Sequence, residues 1–387
     1  MDIYLVGGAV RDKRLGLPVR ERDWVVVGST PEEMLQLGYT PVGKDFPVFL
    51  HPDTKEEYAL ARTERKTGHG YTGFETFADA GVTLEQDLQR RDLTINAMAE
   101  TPDGELIDPC HGLEDLDNGL LRHVSPAFAE DPVRILRTAR FAARFSHWGF
   151  KVAHETNALM RHMVHAGEVD HLVPERVWTE LARALLEKTP ARFFDVLYGC
   201  GALARLFAEI EPLYLDNDRP EHGPPEHILP VLEHAADVTE VAEVRFAALL
   251  CDIGNHTGAA FGKDALDELC DRLRIPNVYR ELGDMALQHR NKVYTAASAS
   301  AAELLELLES LDAFRRPERL EHFLTVCRID ASVHGQADNS DMLRGALTAA
   351  TSVSSDTLLQ QGITGKALGE ALRQARIRAI AAEAAPT

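Results

Sequence analysis

The stretch Tyr4-Leu5-Val6-Gly7-Gly8-Ala9-Val10-Arg11-Asp12, followed after a polar interval by Glu21-Arg22-Asp23-Trp24-Val25-Val26-Val27, decides how this chain folds. A short apolar run of strand character enters a Gly-Gly turn and then an Arg. Paired glycines let a backbone approach phosphate oxygens without a Cβ clash, and Arg11 would add a charge-assisted hydrogen bond. Standing alone, this pattern is better read as a plain strand-to-helix turn. Glu21 and Asp23 are two residues apart at the edge of a second apolar strand, which would point both to one face. Two carboxylates there suit a hard, oxygen-seeking Mg²⁺. Ions so held could activate an attacking hydroxyl and stabilise a leaving pyrophosphate. The competing reading, a solvated strand edge, loses weight because Trp24–Val27 is wholly apolar. Glu57, entering the run Tyr58–Ala61, is a candidate third carboxylate.

Strand-like runs at Ile3–Val6, Trp24–Val27, Pro47–Leu50 and Glu57–Ala61 surround these motifs. Ser29-Thr30 before Pro31-Glu32-Glu33 reads as a capped helix start, and Gly68–Gly73 as a flexible loop. This first part is α+β. After Ser125-Pro126 the pattern turns helical, with helices expected over Pro132–Phe145, Pro174–Glu187 and Pro190–Leu206. Asp216–Pro225 reads as a linker, helices resume beyond it, and Ala381–Thr387 should fray. The expected division is 1–122, 123–215 and 216–387.

The chain has 387 residues, 45% hydrophobic and 26% charged, which suits two or three soluble domains. No apolar run approaches the roughly 18–20 residues of a membrane span. Arg11 and Asp12 come too early for a signal-peptide core. Five scattered cysteines without a CxxC read as reduced thiols. Together these features predict a cytoplasmic protein. A net charge of −20 argues against indiscriminate coating of nucleic acid, so any such site must be a concentrated basic patch. One lies between Arg122 and Arg144, where Arg134, Arg137 and Arg140 also fall, against only Glu130 and Asp131.

Two further motifs carry chemistry. In Asp87-Leu88-Gln89-Arg90-Arg91-Asp92, Arg91 could clamp a triphosphate or a ribose; the plainer reading is a charged helix start. In Glu130-Asp131-Pro132-Val133-Arg134, the carboxylates flank a helix N-terminus, and Arg134, Arg137 and Arg140 form one helical stripe. A solvated basic face would look the same. Yet Asp131 and Arg134 could read a base. Cytosine and adenine each offer an exocyclic amino donor beside a ring-nitrogen acceptor, matching an Asp that accepts and an Arg that donates. Uracil and guanine would leave both groups mispaired, at about 1–3 kcal/mol for each buried polar group. Arg137 and Arg140 would then be available for phosphate.

In this order the motifs resemble those of the bacterial class II CCA-adding tRNA nucleotidyltransferases. Gly7–Asp12 is similar to the family's GGxxRD, Arg90-Arg91-Asp92 to its RRD, and Asp108-Pro109 with Gly112 and Asp115-Leu116 to its DPxxGxxDL. Glu130–Arg134 resembles its EDxxR template, and Val173-Pro174-Glu175-Arg176 the neck motif that supports the template. The resemblance implies a β-polymerase-like head, an all-α neck and body, and an HD-like helical tail. It implies Mg²⁺-dependent addition of CCA to tRNA from CTP and ATP. Glu21 and Asp23 would hold the metal, and Gly8, Arg11, Arg91, Asp131, Arg134, Arg137 and Arg140 the nucleotide.

Two departures stand out. The metal pair is usually Asp-x-Asp, whereas Glu21 comes first here. In the tail, Cys251-Asp252-Ile253-Gly254-Asn255 replaces the His-Asp-Leu-Gly-Lys expected of an HD phosphohydrolase. His227 and Asp252 remain, with a short Gly254–Gly262 connection, so the tail is expected to be degenerate and without phosphatase activity. A poly(A) polymerase is the nearest rival, but its Arg-rich run is absent from Val42–Pro47. A CC-only or A-only enzyme is disfavoured by the full-length Glu64–Asp87 loop. A catalytically dead RNA-binding relative is opposed by the intact motifs. Oligomeric state is not fixed by the sequence.

Overall fold

The computed structural model describes residues 1–42, 48–66, 74–77, 79–215, 228–257, 259–360 and 362–383. The expectations for Gly43–Pro47, Gly68–Gly73, Asp216–Pro225 and His227 lie outside these residues. The chain separates into two compact units, Met1–Glu211 and Pro212–Thr387.

The first unit is built on strands β1 (Asp2–Val6), β2 (Asp23–Val27), β3 (Thr40–Val42), β4 (Val48–Leu50), β5 (Glu57–Leu60), β6 (Thr63–Lys66), β7 (Phe74–Phe77), β8 (Ala99–Glu100) and β9 (Leu106–Ile107). Seven form one sheet in the order β3-β4-β5-β2-β1-β8-β9, and β6 pairs with β7 in a separate hairpin. Only β2 and β5 run parallel within the large sheet. Central β2 is buried on both faces. Val25 packs with Val6, Leu88 and Ala99, and Val26 with Met34, Phe49 and Leu60. That double burial explains an uninterrupted apolar run rather than an alternating one.

Helices α1 (Gly8–Arg14), α2 (Pro31–Gln36), α3 (Leu84–Gln89) and α4 (Gly112–Asp117) join the strands. The expected cap of α2 is a full capping box between Thr30 and Glu33. Next come α5 (Val133–Phe145), α6 (His154–His165), α7 (Pro174–Leu185) and α8 (Ala191–Cys200). The helix expected over Pro190–Leu206 is broken. Gly201 takes φ +81° and ends α8, and a single turn, Leu203–Leu206, follows. α5 buries Ile135, Leu136, Ala139 and Phe145 along one stripe and keeps its arginines on another.

In the second unit the described secondary structure is helical, from Pro230–Val238 to Gly365–Glu383. Leu305, Leu308, Phe323 and Leu324 centre its core. Two expectations change here. The Gly254–Gly262 connection is not a loop, because both glycines sit in helices, Ala242–Thr257 and Ala259–Leu273. A Cβ on Gly262 would lie 3.2 Å from the Gly254 Cα, so the glycines let the helices approach closely. The last helix also runs through Glu383, beyond the expected start of fraying. Among the described residues no helix is long and apolar enough to cross a membrane, and all five cysteines are free thiols.

Candidate active site

Gly7 ends β1 with φ +69° and ψ −128°, a region open to glycine. A Cβ there would lie 2.9 Å from Arg91 Nη1, so the glycine also lets Arg91 lie against the turn. One turn into α1, Arg11 is only 3% exposed. It donates to Asp12 Oδ1 from Nη2 at 2.7 Å and to Asn96 Oδ1. Its guanidinium lies 5.1 Å from the Phe141 ring and 5.2 Å from that of Phe145. Asp12 in turn accepts from Arg144 Nη2 at 2.9 Å.

The acidic pair is arranged differently from the expectation. β2 begins at Asp23, so Glu21 lies in the irregular segment before it and does not share the strand. Both nevertheless line the same cavity as Gly7, Gly8 and Arg91. Burial pushes the Asp23 carboxyl up; Arg91 pulls it back and the Glu21 charge adds to the rise. Glu57 sits beside Asp23 in the β2–β5 register, yet it is not among the lining residues.

Arg90-Arg91-Asp92 follows the end of α3 and does not start a helix. Buried Asp87 collects Arg91 Nη2 at 3.1 Å and Arg90 Nε at 3.4 Å. Burial alone would raise this carboxyl, but the two arginines hold it below its ordinary range. Asp92 is likewise held far down against its burial. It accepts from Arg137 Nε at 2.7 Å, Asn96 Nδ2 at 3.0 Å and the Leu93 backbone at 2.8 Å.

Asp131 Oδ1 accepts from Val133 N at 3.1 Å, capping α5. It also receives a two-pronged grip from Arg176 on α7, at 3.1 and 2.7 Å. Arg134 gives N–H donors to the Ala127 and Arg90 carbonyls at 2.9 and 2.7 Å, which fixes its guanidinium plane. Arg140 bonds Glu180 at 2.7 Å and reaches Glu187 at 3.5 Å. Arg137 and Arg140 line the cavity as expected, but each is engaged in an ion pair.

All nine candidate residues (Gly8, Arg11, Glu21, Asp23, Arg91, Asp131, Arg134, Arg137 and Arg140) line one open cavity of ≈ 560 Å³. Among the described residues, ten arginines and four carboxylates line it. Arg62, Asn96 and Arg183 were not singled out by sequence. Only Arg183 left a signal, seven residues after Arg176 and so on the same side of α7.

The altered HD motif has a different environment. Asp252 accepts from the backbone N–H groups of Val231 and Leu232, each at 3.1 Å. Cys251 is wholly buried, and burial pushes its thiol far up. Asn255 donates to Asp330 at 2.8 Å and accepts from Arg290 at 2.8 Å, and Arg290 pairs with Asp330 at 3.5 Å.

A family model described as the poly A polymerase head domain matches residues 3–122. A second, described as a probable RNA- and SrmB-binding site of polymerase A, matches residues 149–214. The multifunctional CCA protein of Thioalkalivibrio sulfidiphilus is 55% identical over 98% of both chains. That of Nitrosococcus oceani is also 55% identical over 98% of each. The chain belongs to the multifunctional CCA protein family. It is therefore an enzyme of the CCA-adding nucleotidyltransferase class, a class that works with a divalent metal ion. The fold agrees with that of the Bacillus stearothermophilus CCA-adding enzyme in complex with CTP: TM-score 0.70, 24% identity, covering 99% of this chain and 89% of that one. A CCA-adding enzyme in complex with ATP gives a TM-score of 0.65 at 22% identity, over 98% of this chain and 86% of that one.

Proposed function

We propose that this chain adds C, C and A in turn to the 3′ end of tRNA from CTP and ATP, choosing nucleotides with protein side chains rather than a nucleic-acid template. One observation carries this reading. Asp131, gripped by Arg176, and Arg134, held by two carbonyls, share a cavity with the Gly7–Gly8 turn and the acids Glu21 and Asp23. A rigid acceptor beside a rigid donor matches the Watson–Crick edge of cytosine and of adenine, and mispairs with uracil and guanine.

Glu21 and Asp23 would hold Mg²⁺, and the fit rests on the donor set: two carboxylates at one cavity, with ionisation of Asp23 disfavoured by burial and further by the Glu21 charge. Bound there, the ion would supply charge that favours an attacking alkoxide and a leaving pyrophosphate. The protein's own share is positioning and electrostatics. Arg91 and Arg137 present guanidinium groups to the nucleotide, while Asp87 and Asp92 fix their directions. Arg11 is covered by rings and acids, so it braces the Gly-Gly turn through Asn96 and Asp12 rather than offering an open charge. The altered HD motif has no phosphohydrolase role in this reading.

The test uses tRNA lacking CCA, tRNA ending in C and tRNA ending in CC, each with Mg²⁺ and labelled CTP or ATP. Completion to CCA and no further is expected. Long A tails would indicate a poly(A) polymerase, partial addition a split enzyme, and silence an inactive relative. Asp131→Ala should relax discrimination against UTP and GTP by about tenfold or more, the equivalent of one mispaired polar group. Unchanged nucleotide choice with weakened tRNA binding would remove the base-reading role.

A further inference from the structure

The ten arginines at the cavity differ in one respect. Among the described residues, every one but Arg183 has an ion pair, a hydrogen bond or another electrostatic partner. Arg183 is exposed and lies on α7, three residues after Glu180 and four before Glu187. Helical spacing puts Glu180 within reach and Glu187 follows just past the end of α7, yet both are directed to Arg140. A cation is thus left facing a cavity already crowded with like charge, an arrangement that repels itself until an anion enters.

Position along α7 says which part of the cavity it serves. Arg176 grips the base-reading Asp131, and Arg183 lies seven residues on, about 10 Å at 1.5 Å per residue. It stands at the level of Arg140, which spans Glu180 and Glu187, and so away from the base-reading end. We propose that Arg183 is a phosphate-binding residue of the reaction, completing its charge with a phosphoryl group of the incoming nucleotide or of the RNA primer. Arg140, with its charge met by two glutamates, shapes the cavity wall, while Arg183 supplies the charge the wall has left over. The inference rests on the nucleotidyltransfer reading of this cavity.

The full chain and its Arg183→Ala and Arg183→Lys variants are compared with tRNA lacking CCA, Mg²⁺ and CTP, varying CTP and tRNA separately. Arg183→Ala should raise one KM about tenfold, with kcat changed much less, and Arg183→Lys should restore most of the loss. A rise in KM for CTP assigns the phosphate to the nucleotide, and a rise in KM for tRNA to the primer. Without substrates, Arg183→Ala should melt no lower than wild type, because the side chain has no partner to lose among the described residues. Unchanged KM for both substrates in an active background overturns the proposal. So does a lowered melting temperature with no rescue by lysine, which would mark a structural role. An inactive wild type would instead overturn the reading of the cavity itself.

Discussion

Asp92 shows how one buried carboxylate can organise a site it does not dominate. It orients Arg137 toward the cavity and Asn96 toward Arg11. Removing its charge in Asp92→Asn strands Arg137 against the wall. The cost should be about 2 kcal/mol, below the range for fully buried pairs because Arg137 is 35% exposed. Its folded pKa lies below the unfolded value, as does that of Asp87. Their stabilisation is therefore complete above about pH 5 and is lost as pH falls through the folded values. Unfolding free energy measured by urea between about pH 5 and pH 2 should drop more steeply for wild type than for Asp92→Asn. Parallel pH profiles would remove Asp92 from this role. The sequence made Arg91, Arg134 and Arg137 visible as charges in motifs. It did not show how they are tethered, because apart from Arg91 to Asp87 the tethers cross from residue 92 to 137, 90 to 134, 12 to 144 and 131 to 176.

At the scale of elements, α4 explains a motif that takes no part in the chemistry. Asp108 accepts from Gly112 N and Leu113 N at 2.8 Å each and so caps α4. Asp115, on the same helix, accepts from Thr94 Oγ1 at 2.7 Å and from Arg122. α4 therefore presses on the turn Thr94–Asn96, which carries Asn96 to Arg11. A Cβ on Gly112 would lie 2.2 Å from the Thr94 carbonyl oxygen, a backbone atom that cannot swing away. Gly112→Ala should cost about 2–3 kcal/mol, the upper range for overpacking, and lower activity through Asn96. An unaltered melting temperature would contradict this. The positions of β1, β2, β4 and β5 and the α5 and α7 helices were legible from apolar patterning, since burial on two faces or one stripe writes itself into the residue order. The break at Gly201 and the placement of Glu21 before β2 were not. Both depend on local backbone geometry that neighbouring hydrophobicity does not encode.

At the scale of the molecule, a chain of net charge −20 gathers ten arginines at one cavity and leaves the second unit without a comparable cluster among the described lining residues. In that unit Asp252 caps a helix, and Arg290 supplies the positive charge beside Asp330. Purified wild type should therefore not open 2′,3′-cyclic nucleotides to 2′- or 3′-phosphomonoesters with Mg²⁺, Mn²⁺ or Ni²⁺. Metal-dependent hydrolysis lost on Asp252→Asn would contradict that expectation. The loss of an HD histidine was legible from Cys251 alone, but Arg290, thirty-nine residues from Cys251 in sequence and paired with Asp330, was not.

The tie between Asp12 and Arg144 spans 132 residues and has a consequence for the order of synthesis. When the sheet strands have left the ribosome, Asp12 has Arg11 beside it but lacks Arg144, and Asp92 lacks Arg137. Part of the counter-charge of the first unit is thus translated after its large sheet. The site's final arrangement must await a helix made later, and a nascent chain halted before α5 would leave Asp92 without its arginine.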